Sequence, residues 1–224
     1  MITVHHLNNS RSQRVIWLLE ELGVDYEIKL YLRDPKTMLA PSSLLKVHPL
    51  GKSPVITDGD VVIAESGAII EYLIDRYDIE RKLAPAPGTP TRLRYTYWLH
   101  FAEGSAMSPM LMKLVFGQVE KAPMLFFVKP IAKAISKKVK AGYIEPQIKA
   151  HLAFVESELG KSTWLAGGRL SGADIQMSFP LEIAAALGAL DDNHPKILAY
   201  LRRIHARAGY KRGLERGGEY NLLT

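Results

Sequence analysis

The segment from His48 to Gly67 limits the possible fold more than any other stretch of this chain. It reads His48-Pro49-Leu50-Gly51-Lys52-Ser53-Pro54-Val55, passes through Asp58-Gly59, and closes on Ala64-Glu65-Ser66-Gly67. Val55-Ile56-Thr57 and Val61-Val62-Ile63 are short β-prone runs, and Asp-Gly between two such runs is a strong hairpin signal. Pro54 heads the first run. A proline cannot donate to a sheet ladder, so it belongs at the first strand position or on an edge. At such a turn a cis X-Pro bond is expected. Glu65-Ser66 then opens a helix that the serine can cap. A strand that starts on a proline, beside a helix N-terminus carrying Glu-Ser, makes a pocket for a small anionic peptide.

The surrounding pattern gives that hairpin a domain. Ile2 to His6 reads as a strand, and Val15, Leu18, Leu19 and Leu22 fall on one face of a helix stopped by Gly23. Tyr26, Ile28 and Leu30 alternate with polar neighbours as a second strand, and a helical turn over Ser42 to Lys46 precedes the hairpin. Ile69, Ile70, Leu73, Ile74 and Tyr77 line a third helical segment. The order βαβ, then αββα, resembles the thioredoxin-like fold, an α/β domain over residues 1–78. Leu83-Ala-Pro-Ala-Pro-Gly-Thr-Pro90 lies in an extended linker, 79–90. Residues 91–224 read as helix throughout, so the second domain is all-α. Within it, Ser171 and Asp174 have capping-box spacing, with Leu170 and Ile175 as the hydrophobic staple.

Composition removes several chemistries. The chain has no cysteine, so disulfides, thiolate metal sites and a cysteine nucleophile are excluded, and any thiol must come from a substrate. No metal site is expected. No apolar run is long enough to span a membrane, no secretory leader is apparent, and the cytoplasm is the default location. The net charge of +6 is concentrated: six lysines and no acidic residue lie between Lys121 and Gly142. Lys129, Lys133, Lys137 and Lys140 recur at helical spacing, with Ile131, Ile135 and Val139 on the opposite stripe. This reads as a solvated face over a core seam, or as a surface for acidic substrates or partners. No aromatic stacking motif or nucleic-acid-binding fold accompanies the lysines, so nucleic acid is not an expected partner.

Pro54, Glu65-Ser66, the loop Asn8-Asn9-Ser10-Arg11-Ser12 and the helical second half together resemble the cytosolic glutathione transferases, along the whole chain. The resemblance is to the bacterial and fungal serine-type branch. It implies a homodimer that binds glutathione as co-substrate, needs no other cofactor, and attacks small hydrophobic electrophiles with the glutathione thiolate. In serine-type members the activating serine lies in this loop, four residues before an arginine of the first helix; Ser10 and Arg14 have that spacing. Ser12 is the more natural helix cap, which leaves Ser10 free to donate. Asn8 and Asn9 are alternative donors, because an amide N–H can also bond a thiolate. His5 and His6 stand where tyrosine-type members carry their tyrosine, and read as strand residues, one inward and one outward.

The remaining assignments follow the charges of the tripeptide. Ser66 and the helix N-terminus would take the γ-glutamyl carboxylate, and Glu65 the ammonium. Val55, just after Pro54, would pair with the cysteinyl backbone, and Ser53 belongs to the same binding set. Lys52 would meet the glycyl carboxylate with help from His48, where family members often carry asparagine. Asn9 completes the set. Met107, Met110 and Leu111 would line the second-substrate pocket, methionine being suited to a permissive site. Lowering a thiol pKa from about 8.5 by about two units requires about 2.7 kcal/mol. One charge-assisted hydrogen bond gives roughly 1.5–3 kcal/mol and a helix N-terminus roughly 0.3–1, so one hydroxyl suffices. The same scaffold also admits glutathione-dependent disulfide reduction or peroxide reduction, or a non-enzymatic protein-binding role.

Overall fold

The computed structural model describes residues 1–222. Strand β1 (Ile2–Leu7) feeds helix α1 (Ser12–Leu22), which stops at Gly23 with φ +65° and the Gly23 N–H on the Leu19 carbonyl. Glycine takes that left-handed conformation without a Cβ clash. β2 (Tyr26–Tyr31) returns parallel to β1, pairing Ile2 with Tyr26 and Leu7 with Tyr31. A 3-10 turn at Ser42–Lys46 leads to β3 (Val55–Asp58), β4 (Val61–Ala64) and helix α2 (Ser66–Tyr77). The sheet order is β2-β1-β3-β4, with only the first pair parallel. The thioredoxin-like arrangement is present, and the Ser53–Pro54 peptide is cis.

Three local expectations need correction. Asp58 belongs to the ladder and pairs with Val61, so the two-residue loop is Gly59-Asp60, with Gly59 at φ +59°. The Asp58 carboxylate instead accepts from the Tyr72 hydroxyl at 2.9 Å and from that of Tyr77, pinning the hairpin to α2. Ser66 is the first residue of α2 rather than its cap; Glu65 holds the cap position and its side chain makes no cap bond. Both His5 and His6 are buried, rather than one inward and one outward. His5 Nδ1 meets the Tyr31 hydroxyl at 3.0 Å, and His6 Nδ1 meets Ser12 Oγ at 2.8 Å.

The second half is helical: α3 (Pro90–Phe101), α4 (Met107–Lys121), α5 (Lys129–Val139), α6 (Glu145–Glu158), α7 (Gly172–Ala186), α8 (Pro195–His205) and α9 (Ala208–Gly217). Single π turns at Ala102–Ala106 and Lys140–Ile144 join α3 to α4 and α5 to α6. Each precedes a proline, Pro109 or Pro146, that has no N–H for the regular helical bond. A π turn re-routes the carbonyls such a residue leaves unpaired. At the start of α7, Asp174 Oδ2 accepts the Ser171 N–H at 2.8 Å, completing the capping box, while Oδ1 takes the Leu165 N–H and the Tyr200 hydroxyl. Burial pushes the Asp174 carboxyl up, and these donors only partly oppose it.

The core runs between the two halves. Residues Ser12 to Leu19 are all buried, so α1 is covered on both faces rather than on one. The sheet and α2 lie on one side; α7 and α9 lie on the other. α9 comes close because Gly209, Gly213 and Gly217 face Glu21, Trp17 and Gln13. The Lys129–Val139 helix also departs from expectation. Ser136 is the buried residue, its hydroxyl donating to the Phe116 carbonyl at 3.1 Å, and Ile131 and Ile135 point outward instead of forming a core seam. Among the described residues no helix is long and apolar enough to cross a membrane.

Candidate functional site

At the carboxyl end of β1 the chain makes a tight loop in which Asn9 takes φ +50°. The two asparagine oxygens are turned to neighbours: Asn8 Oδ1 accepts the Arg33 N–H and Asn9 Oδ1 the Asn221 N–H, both at 2.8 Å. Ser10 and Ser12 are buried, with their hydroxyl oxygens 2.7 Å apart. Ser12 is the first residue of α1, and it is Ser10 Oγ that accepts the Ser12 N–H, at 3.2 Å. The cap position itself belongs to Arg11, whose side chain makes no cap bond, so Ser12 is not the helix cap that its position suggested. Ser12 Oγ continues the chain of bonds to His6, whose pKa burial holds below the ordinary histidine value against the pull of the Gly217 carbonyl.

Beside this loop a cleft of about 280 Å³ opens between the Pro54 turn, the start of α2 and the α3–α4 junction. His48, Lys52, Ser53, Glu65 and Ser66 line it together with Pro54, Arg11, Glu103 and Leu111. Five of the eight positions expected around glutathione are thus brought together. Ser53 is fixed by donating to the His5 carbonyl at 2.9 Å, and His48 Nδ1 accepts the Leu50 N–H at 3.3 Å. Glu65 stands at φ +70°, an uncommon conformation for a residue with a Cβ, and such outliers concentrate at ligand-binding sites. Ser10, Asn9 and Val55 are not in the lining. Val55 is fully buried in the sheet between His5 and Ala64, and Ser10 is buried with its hydroxyl on Ser12.

The second-substrate set divides. Leu111 is exposed and lines the cleft, whereas Met107 and Met110 are buried in the core, where flexible apolar side chains fill space between helices. Tyr97 and Phe101 belong to an aromatic cluster with Trp98 and Phe154, at ring-centroid separations of 5.1–6.1 Å.

The wall of the cleft depends on Arg14, whose role the sequence showed only as a spacing. Its buried guanidinium donates to the Gln176 backbone carbonyl at 2.5 Å, to Ser66 Oγ and to Glu103 Oε1. Arg11 Nε lies 3.1 Å from both Glu103 oxygens, and both guanidiniums stack over Phe179. Burial pushes the Glu103 carboxyl up, but the two cations outweigh it and its pKa lies below the ordinary glutamate value. Gln176 Nε2 adds a second donor to Ser66 Oγ at 3.4 Å. With two donors on its oxygen, the Ser66 hydroxyl keeps its own proton for a third group. Among the described residues no cluster of three His, Asp or Glu side chains is placed to hold a metal ion.

A thioredoxin-like sheet with a cis-proline turn, packed against a helical second half, is the architecture of the glutathione-binding transferases. Family models agree on both halves: the glutathione S-transferase N-terminal domain matches residues 10–76, and the C-terminal domain residues 118–208. Glutathione S-transferase 1 of Saccharomyces cerevisiae is 34% identical over 96% of this chain and 95% of its own length. A glutathione S-transferase structure from Actinobacillus pleuropneumoniae superimposes with a TM-score of 0.79 at 38% identity, covering 97% of this chain and 93% of that one. A glutathione transferase of Phanerochaete chrysosporium, solved in complex with oxidized glutathione, gives a TM-score of 0.75 at 26% identity over 96% of each chain. The chain belongs to the glutathione S-transferase family.

Proposed function

We propose that the protein binds glutathione in the cleft and presents its thiolate to small hydrophobic electrophiles. The observation that carries this reading is the Ser66 hydroxyl. Its oxygen is held by Arg14 and Gln176, so its own proton is available to a carboxylate beside Glu65 at a helix N-terminus. In this arrangement the γ-glutamyl carboxylate takes Ser66 and the first N–H groups of α2, Glu65 meets the ammonium, and Lys52 with His48 meets the glycyl end. Leu111 supplies apolar surface for the electrophile. The thiol proton leaves to solvent, the Ser10 hydroxyl donates to the resulting thiolate, and the sulfur forms a bond to the electrophile as its leaving group departs with the electron pair.

One observation favours a second reading, glutathione-dependent disulfide reduction. If the Ser10 proton is given to Ser12 Oγ, 2.7 Å away, the loop would hold a glutathione sulfur without activating it for conjugation. Calorimetric titration with reduced glutathione tests the cleft: saturable binding at or below the millimolar range supports it, and no binding at several millimolar rejects it. Conjugation and disulfide-reduction assays run side by side then separate the two chemistries. The reading includes a homodimer, checked by sedimentation equilibrium.

A further inference from the structure

The lysine-rich segment is not used by the cleft. Between α4 and α5 the chain passes through Leu125-Phe126-Phe127, and Phe126 is 87% exposed. One turn apart on the outer face of α5, Ile131 and Ile135 are 59% and 57% exposed. The face toward α4 is occupied by Ser136, whose hydroxyl donates to the Phe116 carbonyl, and the isoleucines lie away from it. Lys129, Lys133, Lys137 and Lys138 are exposed on the same short helix. Among the described residues only Lys140 of this group is paired with a carboxylate, Glu120 at 2.7 Å.

We propose that Leu125–Lys138 docks on the surface of an anionic lipid bilayer. An amphipathic helix with aromatic and aliphatic side chains on one side and lysines on its polar side lies in the plane of such an interface. Each lysine held near the anionic surface strengthens binding by about fivefold. The charge pattern disfavours a second copy as the occupant, because a two-fold contact through this face would set the unpaired lysines against each other. The shape disfavours an acidic peptide. The five main clefts are lined by residues outside 121–140, and the phenylalanines protrude where a peptide would need a groove.

The test is sedimentation of the full chain with phosphatidylcholine vesicles, with and without phosphatidylserine. The expected result is binding to the phosphatidylserine vesicles alone, weakening as salt is raised. It should fall at least tenfold in the double variant Phe126→Ser/Phe127→Ser and in Lys133→Glu/Lys137→Glu. Unchanged melting temperature and sedimentation coefficient would show that both variants keep fold and assembly. Absence of binding to either vesicle, or binding unchanged by the lysine reversals, would overturn the proposal. So would a change of oligomeric state in the phenylalanine variant, which would assign the face to a second copy. Capture of an acidic protein through these lysines, with vesicle binding absent, would likewise reject it.

Discussion

Arg14 donates to the Gln176 carbonyl at 2.5 Å, and that carbonyl is free because Pro180, four residues on in α7, has no N–H to give it. A helix-interior proline is normally a cost of about 3 kcal/mol. Here the unpaired acceptor is taken by a guanidinium from the other half of the molecule. The same guanidinium then sets the direction of the Ser66 hydroxyl. A defect in one helix thereby aims a side chain at the start of another.

Replacing Glu103 by glutamine leaves the buried Arg14 without its counter-charge. Breaking such a pair costs roughly 3–5 kcal/mol, and the partial exposure of Glu103 puts the expected loss near the lower figure. The Glu103 carboxyl ionises below its ordinary value in the fold. It therefore adds stability above about pH 4, and this is lost as the pH falls through the ordinary value toward the lower folded one. Denaturant unfolding of both proteins across pH 3–6 should show that acid-side slope diminished in Glu103→Gln.

Ser10→Ala should reduce conjugation by roughly 10- to 100-fold, the worth of one hydrogen bond to a charged group, with glutathione affinity little changed. The ionisation of the bound thiol, read from thiolate absorbance, should move to higher pH. Full activity in Ser10→Ala would remove the serine from the reaction and turn attention to Asn8 and Asn9.

Burial holds His6 largely neutral in the fold, its pKa lying below the ordinary histidine value. Unfolding frees it to take a proton, so its contribution is present above about pH 6.5 and falls away as the pH drops below that value. The midpoint of thermal unfolding should decline between pH 6.5 and 5, and more shallowly in His6→Gln. An equal decline in both would assign the acid sensitivity elsewhere.

Gly213→Ala would set a Cβ 3.2 Å from the Trp17 Cα, so the backbone of α1 would have to give by a few tenths of an ångström. Overpacking of this kind costs roughly 1–3 kcal/mol, and calorimetry should register a melting temperature lower by several degrees.

What could be read from the sequence was local. The hairpin and the Ser171–Asp174 box depend on residues at most a few positions apart, and both formed in place. So did the Glu65-Ser66 pair, although Ser66 gave up the capping role to serve the cleft. What escaped was assembled across distance. Arg14, Ser66, Glu103 and Gln176 come from four helical segments, with Arg14 and Gln176 separated by 162 positions. A signal existed for two of them: Pro109 and Pro180 sit inside helical stretches and mark where carbonyls or turns are released for other uses. Met107 and Met110 were misplaced for the opposite reason. Helical spacing gives a stripe of apolar residues, but which neighbour covers that stripe is decided by the packing of other helices.

The three glycines of α9 carry a consequence for how the molecule is made. They let residues 208–217 seal the outer side of α1, the helix that bears Ser12 and Arg14 and begins beneath the cleft. On a ribosome the sheet and α1 emerge before the helical half, yet the side of Trp17 that meets Gly213 has no cover until α9 follows nearly two hundred residues later. Chains often fold domain by domain from the start as they are synthesised. In this one the outer side of α1 is closed only by the last helix, so the core of the first half is complete only with the second.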